Sequence, residues 1–131
     1  MKDSVRVAYE HAIKARENSH SPYSKFKVGS CFKVAGEDIY FSGANMESAS
    51  YPVGTCAERV ALGAAISQGK KSFEFGIIVT DTKTFTPPCG MCRQMMIEFC
   101  DPDMPVYLAN LDGEVQSYLM KELLPHSFTS F

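Results

Sequence analysis

The chain lacks a surplus of positive charge: Lys and Arg total 13 against 15 Asp and Glu, for a net charge of −2. A domain that holds a polyanion normally shows a basic excess, so nucleic acid is not an expected partner. Long apolar runs are missing as well. The opening MKDSVRVAYEHAIKA breaks its apolar residues with charges every few positions, unlike the continuous core of a secretory signal. Nothing later approaches the roughly 20 apolar residues of a membrane span, so no membrane association is expected. Without export there is no oxidising compartment to stabilise disulfides, and five cysteines, an odd number, cannot all pair within one chain. Reduced thiols, metal ligands or catalysis remain, in a cytoplasmic protein. Internal repeats and low-complexity segments are absent too. At 131 residues, with 45% hydrophobic and 21% charged, the chain reads as one soluble globular domain spanning 1–131, since domains most often run to about 100 to 150 residues.

The patterning present is that of an α/β protein. Val5, Ala8, Tyr9, Ala12 and Ile13 recur at helical spacing behind Asp3 or Ser4 as a cap, which predicts an amphipathic helix over about 4–17. In FKVGSCFKV, Phe26, Val28, Ser30, Phe32 and Val34 alternate onto one face, and AGED leads into IYFSG as a hairpin would. CAERVALGAAISQG reads as an Ala-rich buried helix ending at Gly69, and the unbroken apolar run FEFGIIVT as a central strand covered on both faces. A short helix from Cys89 to about Cys100 and two strands around the turn NLDG complete the order. This order predicts a mixed five-stranded sheet packed between helices.

Two stretches, TCAERV and PPCGMCRQ, hold the reactive groups. Residues two apart do not share a helix face, so Cys56 and Glu58 converge on one site only if it lies beyond the N-terminal end of their helix. Cys89 and Cys92, three apart, do share a face, and Pro88 suits a helix start. Each helix N-terminus carries unsatisfied N–H groups and partial positive charge, which favours the thiolate form that a metal requires. Zinc suits three such soft ligands, and a fourth position left to water is the pattern of a catalytic site, with Glu58 as proton carrier. Three thiolates and one zinc ion sum to −1, which weakens the metal as a Lewis acid. Arg59, three residues after Cys56, is positioned to donate hydrogen bonds to the thiolates and offset that charge. Taken alone, Cys-x-x-Cys also fits a redox pair or a structural zinc knuckle. Cys31 and Cys100 read as inert core thiols, and Met91, Met95 and Met96 as core filling.

CAE at 56–58 with PCGMC at 88–92, together with SPYSKFKVGS, NMESASYPVGTCAER and LLPHSF, resembles the cytidine deaminases of the small-subunit type over nearly the whole chain. The general scheme for zinc deaminases, including a three-cysteine form, is known. The resemblance implies the three-layer cytidine deaminase-like fold, one zinc per chain on Cys56, Cys89 and Cys92, and hydrolytic deamination of cytidine and deoxycytidine in pyrimidine salvage. Hydroxide on zinc would attack C4 of cytosine while Glu58 shuttles protons between N3 and the departing ammonia. It further implies that Ala57 offers a backbone N–H to the base and that Asn45 and Glu47 hold the ribose hydroxyl. Phe26 would lie beside the base, and Tyr51 and Phe128 would help complete a neighbouring subunit's pocket in a homotetramer.

The chain departs from that family at Pro87, where Ser or Thr is usual and the carbonyl is expected to meet the leaving amine; proline keeps its carbonyl. Ser48 and Met46 also depart, which bears on substrate preference. A deaminase of another cytosine-containing nucleoside analogue is the nearest alternative. A structural zinc module would need a fourth protein ligand and a basic face, and a polynucleotide deaminase would need room for added loops.

Overall fold

A computed structural model describes residues 1–83 and 85–127. The expected order is present: α1 (Asp3–Glu17), β1 (Val28–Val34), β2 (Tyr40–Ala44), α2 (Ala57–Ser67), β3 (Phe73–Thr80), α3 (Gly90–Phe99), β4 (Pro105–Ala109) and β5 (Val115–Leu119), followed by a one-turn α4 (Met120–Leu123). The five strands form one mixed sheet in the order β2-β1-β3-β4-β5. β1 pairs antiparallel with both β2 and β3, β3 runs parallel to β4 with α3 as the crossover, and β5 returns antiparallel.

Helices cover both faces of the sheet. On one side α1 buries Val5, Ala8, Tyr9 and Ala12 against Cys31, Phe75, Ile77 and Val79. On the other, Ala61, Leu62 and Ala65 of α2 and Met96 of α3 pack against Phe32, Ile78, Val106 and Leu108. β1 is therefore covered on both faces, as a sheet packed between helices requires, with Gly29 and Cys31 buried on the face opposite Phe32. At Gly29 the missing side chain lets α1 press onto the strand. A Cβ there would lie 1.9 Å from the Ala12 carbonyl oxygen. Gly43 does the same for α2 on β2, since its Cβ would come within 2.6 Å of the Ala61 nitrogen and 2.9 Å of the Ala57 oxygen.

Phe26 falls outside β1. Lys25 takes a positive φ of 61°, which breaks the extended run, and the Phe26 carbonyl is held by the Asn45 side chain at 2.9 Å. The expected end of α2 is present in full: Gly69, at φ 79°, donates to Ile66 O at 2.9 Å while Lys70 donates to Ala65 O at 3.0 Å. This is the paired closure that a left-handed residue allows. Cys31 and Cys100 are buried as expected, and burial pushes both thiols up to about 12. The methionines divide instead. Met96 is fully buried, but Met91 and Met95 are 66% and 37% exposed, because α3 turns only one face to the sheet.

Candidate active site

Cys56 is the N-cap of α2 and Cys89 the N-cap of α3, with Cys92 in the first turn behind it. Both caps have extended backbone and neither side chain makes a capping bond to its own helix, so both sulfurs are left for other partners. They meet each other. Cys56 Sγ lies 3.6 Å from Cys89 Sγ, which lies 3.3 Å from Cys92 Sγ, and all three sulfurs fall within 4.8 Å of one another. Three ligands on a tetrahedral zinc with bonds of about 2.3 Å would stand about 3.8 Å apart, so this donor set fits zinc with little adjustment.

Charge in the cluster is graded. The Cys56 thiol is pulled down to about 5, first by a hydrogen bond from Cys92, against the opposing effect of burial, and further by Arg59. Arg59 Nη2 stands 3.8 Å from Cys56 Sγ. The arginine's Nε is buried without a partner among the described residues, so one N–H is not taken up by the surrounding chain. Cys92 is driven upward by its bond to Cys56, by burial and by the neighbouring Glu58. The Glu58 side chain is 3% exposed. Burial raises its carboxyl well above the ordinary range, with contact to Cys92 acting in the other direction.

Two adjoining hollows open beside the thiols. An inner one of about 200 Å³ is lined by Phe26, Asn45, Cys56, Ala57, Glu58, Thr80, Pro87 and Cys89, among others. An outer one of about 530 Å³ includes Asn45, Glu47, Tyr51, Cys56 and Arg59. Asn45 and Cys56 border both. The residues expected around the base thus line the inner hollow, and Glu47 and Tyr51 line the outer one. Phe128 lies outside the described residues.

The loop carrying Asn45 and Glu47 is held by its own polar groups. Glu47 accepts hydrogen bonds from the Tyr23 and Ser24 amides, each at 3.0 Å, and from the Ser24 hydroxyl. The hydroxyl bond is the main cause of a carboxyl held below its ordinary range. Asn45 Oδ1 accepts from Val28 N at 2.9 Å and from the Ser19 hydroxyl, while Nδ2 donates to Phe26 O. Two acceptor positions and one of two donors are used, which leaves one N–H among the described residues. Sequence reading did not foresee this structural work of Asn45. It also passed over Arg93, inside the PPCGMCRQ stretch, which binds the main chain beside Cys89.

Residues 2–108 match the cytidine and deoxycytidylate deaminase zinc-binding region. A cytidine deaminase of Halalkalibacterium halodurans is 46% identical over 125 residues, covering 95% of this chain and 94% of the relative. A cytidine deaminase of Sporosarcina psychrophila is 43% identical over 116 residues, covering 88% and 85%. Among solved structures, the cytidine deaminase of Burkholderia pseudomallei superimposes with a TM-score of 0.90 at 38% identity, covering 98% of this chain and 100% of that one.

Proposed function

This chain belongs to the zinc-binding cytidine and deoxycytidylate deaminase family, and on that premise we propose that it hydrolyses cytidine and deoxycytidine to uridine and deoxyuridine with release of ammonia. The observation that carries this reading is the meeting of three thiols at two helix N-termini with a buried carboxyl two residues from the first. Cys56, Cys89 and Cys92 would hold the zinc. When bound there, zinc supplies Lewis acidity that lowers the pKa of water toward about 7.

The remaining steps belong to the protein. The inner hollow takes the cytosine ring beside Phe26, with Ala57 offering its amide, one of the N-terminal N–H groups that a helix leaves unpaired. Glu58 takes a proton from the attacking water and delivers one to N3 as oxygen bonds to C4. It then carries the water's second proton to the exocyclic amine, the C4–N bond breaks, and ammonia leaves. A carboxyl raised by burial suits this double role, because the group then takes up and holds a proton more readily than an exposed glutamate does. The Pro87 carbonyl accepts a hydrogen bond from the departing amine. In the outer hollow the free N–H of Asn45 donates to the ribose 3′-oxygen and Glu47 accepts that hydroxyl's proton, a donor and acceptor pair matched to one hydroxyl.

The assembly proposed is a homotetramer with shared sites, located in the cytoplasm. Tyr51 is 79% exposed and Met46 52% exposed although both line the outer hollow. Such apolar exposure supports a wall supplied by another subunit, with Tyr51 and Phe128 reaching across. Free thiols at all five cysteines accord with a reducing compartment. No helix among the described residues is long and apolar enough to cross a membrane.

The test is Glu58→Gln. It should keep one zinc per chain and the fold, and lose turnover by about two to four orders of magnitude, the usual contribution of a positioned proton carrier. An ammonia assay over cytidine, deoxycytidine, cytosine and single-stranded oligonucleotides identifies the substrate. Near-normal activity in the variant, or faster reaction of an oligonucleotide than of the nucleosides, rejects the reading.

A further inference from the structure

Arg93 sits in the first half of α3, directly after Cys92. Its backbone amide donates to Cys89 O at 2.9 Å, its Nε donates to Pro88 O at 2.7 Å, and its Nη1 donates to Leu123 O at 2.7 Å. One residue therefore grips two consecutive carbonyls of the loop that enters α3 and also the last residue of α4.

The sequence of that loop explains why such a grip is needed. Pro87 and Pro88 have no N–H groups, so neither can be anchored by donating a main-chain hydrogen bond. Proline fixes φ but leaves ψ free, and the ψ of Pro88 sets both the direction of its own carbonyl and the path into Cys89. The carbonyls are the only main-chain handles on the segment, and Arg93 Nε holds the one adjoining Cys89. Leu123 O, at the end of a helix, is likewise a carbonyl with no intrahelical partner. A planar, charged fork suits two separate carbonyls and makes stronger bonds than a neutral donor would.

We propose that Arg93 is a positioning residue: by clamping Pro88 O and Leu123 O it fixes the Pro87–Cys89 segment, and hence the Pro87 carbonyl and the Cys89 sulfur, against the end of α4. This rests on the proposed roles of Cys89 as a ligand and of the Pro87 carbonyl toward the leaving amine. Arg93 acts through those groups and touches neither zinc nor substrate. The fork matters more than the charge, because a lysine ammonium keeps the charge but cannot reproduce the planar pair of donors.

The experiment uses the zinc-loaded enzyme and its Arg93→Lys and Arg93→Ala variants. Zinc per chain is measured first, then the rate of zinc transfer to a chromogenic chelator, kcat and KM for cytidine, and the melting temperature. Arg93→Lys should bind one zinc per chain and melt close to the parent. It should release zinc about 10-fold faster, as outer-shell substitutions at metal sites do. Its kcat should fall by about the same factor while KM moves less than about threefold, since the carbonyl is aligned with the amine only as that group departs. Methylguanidinium added to Arg93→Ala should restore part of kcat. Parental zinc release and kcat in Arg93→Lys would overturn the proposal. So would a lower melting temperature with zinc release unchanged, which marks a purely structural contact. Arg93→Lys remains informative if Arg93→Ala does not fold. A parent enzyme that holds no zinc would overturn the function beneath the proposal, which a silent Arg93→Lys in a zinc-loaded, active parent would not.

Discussion

Replacing Asn45 by Ala separates two meanings of a binding-site residue. Asn45 carries three hydrogen bonds within the chain, to Val28 N, to the Ser19 hydroxyl and to Phe26 O, and one N–H remains for the ribose. Each internal bond contributes about 0.5 to 1.5 kcal/mol, so losing all three should cost about 2 to 4 kcal/mol, including the half-buried amide of Val28 left unpaired. For a chain of this size that corresponds to a fall in melting temperature of about 10 °C. Phe26 should lose its place beside the base as its carbonyl is released. Turnover of free cytosine should therefore suffer together with turnover of cytidine. Differential scanning at one fixed protein concentration, with kcat/KM for both compounds, measures the two effects. A variant melting within about 2 °C of the parent, far below the shift these bonds imply, would refute this reasoning if its loss were also confined to nucleosides. Asn45 would then be a sugar ligand and little more.

Glu47→Ala should keep zinc near the parent's level and lower the melting temperature less than Asn45→Ala does, because its three bonds are exposed to solvent, with the preference for cytidine over free cytosine narrowed through loss of cytidine activity; comparing kcat/KM for the two compounds decides it. Because hydrogen bonding holds the Glu47 carboxyl below its unfolded value, its ionised form and the stability it contributes are present above the unfolded pKa and lost as pH falls through the folded one. Its contribution to KM should accordingly stay flat from pH 8 down to about pH 5, and in Ser24→Ala, which lacks the hydroxyl bond, the acid-side rise in KM should begin at a higher pH. Gly43→Ala should drive a Cβ into backbone atoms of α2, costing about 1 to 3 kcal/mol as overpacking does, and should weaken zinc retention by displacing the start of the helix behind Cys56. A urea melt and a chelator titration check both effects.

The element order was legible because each segment's hydrophobic period agrees with its final environment: FEFGIIVT as an unbroken run in the central β3, and Val5, Ala8, Tyr9 and Ala12 along one stripe of α1. The meeting of Cys56, Cys89 and Cys92 was legible for a different reason. Residue spacing restricts which groups a helix N-terminus can present, and two such termini carrying thiols leave few arrangements open. What sequence could not supply were effects set by tertiary approach. The seating of α1 on β1 depends on how near the helix comes at Gly29, and the exposure of Met91 and Met95 depends on which face α3 turns to the sheet. The internal bonds of Asn45 require Ser19, Phe26 and Val28 to be near it in space. Arg93 was hidden because a single arginine after Cys-x-x-Cys carries no periodic or spacing signal. Its meaning comes from Leu123, thirty residues away in sequence.

The electrostatics of the cluster act unevenly on its members. Cys56 is drawn to low pKa, while the same arrangement pushes Cys92 up and burial raises Glu58, because a low-dielectric surrounding disfavours each further negative group. A dication inverts that logic: its field favours the thiolate forms, and protons leave as it binds. Glu58 differs from the thiols in being a hard carboxylate two residues along the helix, on a different face from Cys56. It can therefore remain outside a soft sulfur-rich ligand set and keep its proton in exchange with whatever occupies the inner hollow. The position of Glu58 relative to Cys56 thus does two things at once, turning the carboxyl onto a different face from the first thiol and placing it on the lining of the inner hollow.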